Sequence, residues 1–128
     1  YIKQINIEAK TSLDMVKSLY IPAVIPFIKE LAETIEKLEV VSGPVYVEKE
    51  LLARVSALLE SAYRKTEKLE TELEKAHEIA DSFKRAAAFR DKVLATMEEL
   101  RKDIDTLETI APRKLWPVPT YADLLYKL

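Results

Sequence analysis

Apolar residues recur along most of this chain in alternating steps of three and four, the spacing that lines them up on one face of a helix. The first run is Ile2, Ile5, Ala9, Leu13, Val16 and Tyr20. It continues through Val24, Phe27, Ile28, Leu31, Ile35 and Leu38, with Lys29, Glu30, Glu33, Glu36 and Lys37 on the opposite side. Thr11, with Asp14 three residues on, offers an alternative helix start. Pro22 and Pro26 lack amide donors, so the carbonyls of Ser18 and Pro22 lose their helical partners and a kink or restart is expected there. Pro22 sits best in the first turn of a new helix. Gly43 and Pro44 should end this segment, because glycine reaches the left-handed region and proline cannot continue a helix.

From Pro44 to Pro112 there is no further glycine or proline, and Leu51, Val55, Leu58, Ala62, Thr66, Leu69, Leu73 and Ala76 keep the helical spacing. A second stripe, Ala86, Phe89, Val93, Met97, Leu100, Ile104 and Leu107, would continue it as one rod about 95 Å long at 1.5 Å per residue. A compact chain should instead fold back near Ile79 to Ser82, where Asp81 or Ser82 could cap a new helix. The pattern predicts an all-α fold, an up-down-up antiparallel three-helix bundle packed near +20°, with helices at about 4–40, 46–79 and 82–111 in one domain spanning 1–128.

The end of the chain breaks the pattern. Pro117 and Pro119 force residues 112–128 toward an extended strap carrying the only tryptophan, Trp116. Trp116, Tyr121, Leu124, Leu125 and Leu128 offer more apolar and aromatic surface than a free terminus should carry, so they are expected to dock on the helical body or a neighbour.

Composition sharpens this picture only slightly. A single glycine among 128 residues favours long helices. The absence of cysteine removes disulfides and thiolate sites and suits a cytoplasmic origin. A net charge of -2 gives no general attraction to nucleic acid or an anionic membrane. No uninterrupted apolar run approaches the roughly 20 residues of a membrane span, so the chain is expected to be soluble. It opens on Tyr1 directly in periodic sequence, as a piece of a longer protein would.

Candidate chemistry is sparse. His77 and Asp81 share a helix face but supply only two ligands, too few for a zinc site. Glu67, Glu70, Glu72, Glu74 and Glu78 have no loop to wrap calcium and read as a solvated face. Lys84, Arg85, Arg90 and Lys92 interleave with Phe83 and Phe89 as in single-strand binders, but helical spacing turns the aromatics toward the core and pairs the basic groups with Asp81, Asp91 or nearby glutamates. Arg101, Asp105 and Glu108 could form a charge relay, or an ion-pair ladder worth about 0.3 to 0.5 kcal/mol per exposed pair. Tyr46, Tyr63, Tyr121 and Trp116 could stack on a ligand, although such aromatics more often bury against helices. One glycine cannot build a phosphate loop, and no serine forms an elbow with the lone histidine. Leu52 and Leu59 read as exposed apolar flanks.

Several stretches resemble the type III glutamine synthetases, found mostly in bacteria. They are Ala87, Arg90, Asp91 and Val93, then 97–101, then 105–108, and above all the run from Trp116 to Leu125. The runs 7–11 and 21–23 add to the resemblance, while Ala122 departs from it where glycine is expected. The resemblance implies the C-terminal end of a large cytoplasmic enzyme that joins ammonia to glutamate using ATP and a divalent metal, magnesium or manganese. It further implies stacked hexameric rings, a homo-oligomer expected to be a dodecamer. None of the family's catalytic, nucleotide or metal motifs matches a position here, so no catalytic, cofactor or metal residue is assigned. The implied role is structural support and subunit assembly. Trp116, Pro117, Pro119, Tyr121, Leu124, Leu125, Arg101 and Asp105 would contact the catalytic domain of the same polypeptide or neighbouring subunits. The competing reading is an independent helical adaptor for another protein.

Overall fold

In a computed structural model, which describes residues 1–118, three helices account for nearly all of the chain and no strand occurs among the described residues. Helix α1 runs over Ile2–Ser42, α2 over Val47–Glu78 and α3 over 82–110. A short 3-10 turn, Arg113–Leu115, follows. Cross-helix pairs fix the relative direction of neighbours. Lys49 meets Glu39 at 3.1 Å, Lys17 meets Glu70 at 2.6 Å and His77 Nε2 meets Asn6 Oδ1 at 2.9 Å, so α2 retraces α1 in reverse. Lys65 on Asp103 at 2.9 Å and Lys68 on Glu99 at 3.8 Å do the same for α2 and α3.

The helix ends follow local chemistry. Gly43 has φ 80 and ψ -161, a conformation that L side chains rarely adopt, and its N–H still reaches the Glu39 carbonyl at 3.2 Å. Between α2 and α3, Ile79 turns extended and the Asp81 carboxylate accepts the Lys84 N–H at 2.9 Å, capping α3. Thr11 is no cap, because α1 begins nine residues earlier and runs past it.

The prolines do not start a separate helix. Residues Val16–Tyr20 form a wide π-type turn in which the Ile21 N–H reaches back to the Val16 carbonyl, and both flanking residues keep right-handed helical dihedrals. Moving to the i→i+5 pattern just before Pro22 lets the chain pass a residue without a donor and stay helical. A second wide turn, Phe89–Leu94, interrupts α3, and the first half of α1 packs against it.

The core follows the expected stripes: Ile5, Ala9, Val16, Val24, Phe27 and Leu31 of α1, Val55, Ala62, Leu69 and Leu73 of α2, and Phe89, Val93, Leu100 and Leu107 of α3 are buried. Leu52 and Leu59 are half-buried against this core rather than exposed flanks. Phe83, expected inward, is 89% exposed. It stands in the first turn of α3, just after the Asp81 cap, where the helix has not yet come under its neighbours. By length and composition α1, 41 residues with a mean hydropathy of 1.2 over its most apolar 18-residue window, is long and apolar enough to cross a membrane. Yet Val16, Val24 and Phe27, from its apolar stretch, face the other helices.

Candidate functional site

The two long seams of α3 differ. Against α2, the seam closes around a polar centre: Asp103, 8% exposed, accepts from Ser61 Oγ at 2.6 Å and from Lys65 Nζ at 2.9 Å. Asp103 interrupts the apolar stripe between Leu100 and Ile104, and sequence reasoning did not single it out. The signal available was its position one step before Ile104 on the inward face. Thr96 is a second buried polar residue; its hydroxyl donates back to the Lys92 carbonyl at 2.7 Å and needs no partner from another helix.

Against α1, the seam opens into a groove of about 550 Å³. Met15, Val16, Leu94, Met97 and Ile104 give it an apolar floor. Glu8, Glu98, Arg101, Asp105 and Glu108 form a rim in which acids outnumber the single base. Arg101 and Asp105 therefore lie on one wall of a groove, and no ion pair joins them among the described residues. Tyr20 stands at one end. Its burial, together with the negative charges of Glu108 and Asp105, pushes the phenol above its ordinary range, and Arg101 opposes them only in part. Around neutral pH the phenol is thus a neutral hydrogen-bond donor rather than a base.

Trp116 packs on Tyr20 with ring centroids 5.0 Å apart and is itself buried. Its indole N–H is buried and finds no acceptor among the described residues. Pro117 follows on the surface. Pro119, Tyr121, Leu124 and Leu125 lie outside the described residues.

The other candidates disperse. His77 bonds Asn6 and packs edge-on against Phe89 at 5.3 Å. No group of three or more His, Asp or Glu side chains among the described residues is arranged to hold a metal. In the basic stretch, Arg90 pairs with its neighbour Asp91 at 2.8 Å, which holds the Asp91 carboxyl below its ordinary range, and Phe89 is fully buried. Tyr46 and Tyr63 are exposed.

Comparison with known proteins finds relatives for this chain. The family model for the glutamine synthetase C-terminal domain matches residues 1–39. The chain is 28% identical over 130 residues to the glutamine synthetase of Butyrivibrio fibrisolvens, covering 100% of this chain and 19% of that protein. It is 29% identical over 136 residues to the type-3 glutamine synthetase of Dictyostelium discoideum and 27% identical over 136 residues to the glutamine synthetase of Bacteroides fragilis, in each case covering 98% of this chain and 18% of the relative. The chain is thus similar to glutamine synthetases, and over residues 1–39 to their C-terminal domain. No solved structure matches it. The chain spans about a fifth of the length of these glutamine synthetases. The family-model match falls on α1 rather than on the tail, where the resemblance is densest. Three of the stretches that carry the resemblance, 7–11, 97–101 and 105–108, nevertheless meet at the groove, through Ile7, Glu8 and Thr11 from α1 and Met97, Arg101, Asp105 and Glu108 from α3.

Proposed function

We propose that this chain is a non-catalytic C-terminal helical domain of a type III glutamine synthetase, and that it braces the catalytic part of the same polypeptide and supports subunit assembly. The observation that carries this reading is the near-complete coverage of the chain by relatives about five times as long. The parent reaction would be the ATP-dependent ligation of ammonia to glutamate, giving glutamine, in a cytoplasmic homo-oligomer. The donor sets described above do not suit the magnesium or manganese ion that this chemistry implies, nor do they cradle a nucleotide. Both would be held by residues outside this chain. An all-helical body suits a brace, because rigid helices transmit position, and Trp116 packed on Tyr20 adds an aromatic anchor at one end.

The test has two arms. The purified chain should be helical and form no glutamine from glutamate, ammonia and ATP. The parent enzyme lacking residues 112–128 should lose assembly or thermal stability. Full assembly, stability and activity in that truncated parent would refute the bracing role.

One observation favours the alternative of an independent adaptor. Val40, Val41, Tyr46 and Val47 are all at least 75% exposed around the α1–α2 turn, an apolar tip that suits a protein contact. A catalytic domain encoded directly upstream in the same reading frame would end that alternative. Partners unrelated to glutamine synthetase, retained through this tip, would support it.

A further inference from the structure

Both methionines of the chain, Met15 and Met97, line the groove between α1 and α3, and so do Val16, Tyr20 and Leu94 from its two wide turns. Glu8, Glu98, Asp105 and Glu108 stand on the rim against one base, Arg101. We propose that this groove binds a basic amphipathic helix of a partner polypeptide, with an apolar stripe on the methionine floor and lysines or arginines against the rim acids.

The shape of the groove suits a helix. Its walls are stripes at helical spacing, from Ile7 to Tyr20 on α1 and from Leu94 to Glu108 on α3. Each wall is about 20 Å long at 1.5 Å per residue, so a helix of about four turns lying between them would match it end to end. The floor suits an incoming side-chain stripe. Methionine is unbranched and polarizable, so it repacks around apolar partners of varied shape, and both methionines here are only half-buried. Wide turns of the π type recur at functional sites, and the one at Phe89–Leu94 has no proline near it to account for it.

The rim selects the sign of the partner. Acids and bases number 22 and 20 in the whole chain, so an excess of four to one at the groove is a local arrangement and not a product of composition. Glu8, Glu98 and Asp105 are exposed, where they would steer a cation without being buried by it. The same charges repel phosphate, which disfavours nucleic acid and anionic lipid as occupants. The site is built from α1 and α3 of this chain and stands whether or not the bracing role is correct.

The probe is a synthetic 14-residue helix with leucines at i, i+3, i+4 and i+7 and lysines elsewhere, labelled for fluorescence anisotropy with the full chain. It should bind about tenfold more tightly than a peptide with glutamate in place of each lysine, and than a scrambled peptide of its own composition, and it should weaken in high salt. Glu98→Lys combined with Asp105→Lys should reverse the preference toward the glutamate peptide, a gain that a misfolded variant would not show. Glu33→Lys combined with Glu36→Lys, on the exposed side of α1, should leave it unchanged. Equal binding of the three peptides, or an equal effect of the two double variants, would overturn the proposal. So would self-association of the chain that the Glu98→Lys, Asp105→Lys variant abolishes, because the occupant would then be a second copy.

Discussion

Helix α3 meets α2 and α1 in opposite ways. On the α2 side, residues 61–69 and 96–103 interlock, and the one buried acid finds both a hydroxyl and an ammonium donor. On the α1 side, parallel stretches of the two helices stand apart over Met15, Met97 and Ile104, with an acidic rim. The first seam is finished by the residues that form it. The second has apolar surface left over, which is the mark of a surface meant to be covered.

The largest effect should come from the place where all three helices converge. Phe89 is fully buried in the wide turn of α3, against His77 of α2 and close to the first half of α1. Phe89→Ala should cost about 3–5 kcal/mol by chemical denaturation, because a cavity opens where the chain cannot collapse. A loss below about 1 kcal/mol would mean that this junction is looser than the geometry requires.

Next is the closed seam. Asp103→Ala leaves the Lys65 ammonium and the Ser61 hydroxyl facing a partly buried position with no acceptor, and should cost about 2–3 kcal/mol, roughly 10 °C in Tm for a chain of this size. Asp105→Ala on the groove rim should change stability by no more than about 0.5 kcal/mol, because an exposed charge without an ion-pair partner contributes little. Equal costs at 103 and 105 would erase the contrast between the seams. Gly43→Ala should fall between these two, at about 1 kcal/mol. The space around Gly43 is open, so only the strain of a positive φ opposes the methyl group.

What was legible in the sequence was whatever depends on one helix at a time. The 3-4 spacing of Val24, Phe27 and Leu31 or of Phe89, Val93 and Leu100 encodes which face is buried, so the all-helical class and the three helices could be read directly. Features that depend on two helices at once could not. Asp103 and Thr96 are buried by their neighbours, and a periodicity that counts polar residues as solvent-facing assigns both to the surface. Phe83 has the right letter at the right spacing, but it precedes the region where α2 covers α3. The wide turn at Val16–Tyr20 reflects how the backbone accommodates Pro22, and proline's preferences alone suggested a break. Arg101 and Asp105 sit at ion-pair spacing, and only the packing of α1 shows that they line a groove. The ring that Trp116 packs on, Tyr20, was not legible in the sequence.

The finest test of the open seam uses pH. The Tyr20 phenol is held above its ordinary range by burial and by Glu108 and Asp105, so the folded chain keeps this proton at pH values where the unfolded chain, with an ordinary tyrosine near 10, has begun to lose it. Where the folded state binds more protons than the unfolded state, stability falls as pH rises. The contribution of Tyr20 is therefore fully present below about pH 10 and is lost as pH climbs through the raised folded value. Tyr20→Phe keeps the ring against Trp116 but has no proton to lose, so its stability should decline less steeply than that of the unmodified chain above pH 10, and the two should run parallel at neutral pH. Denaturant midpoints measured from pH 8 to pH 11 would check this. Identical slopes would mean that the rim carboxylates do not reach the phenol. A steeper slope in Tyr20→Phe would reverse the sign expected for a hydroxyl buried beside negative charge.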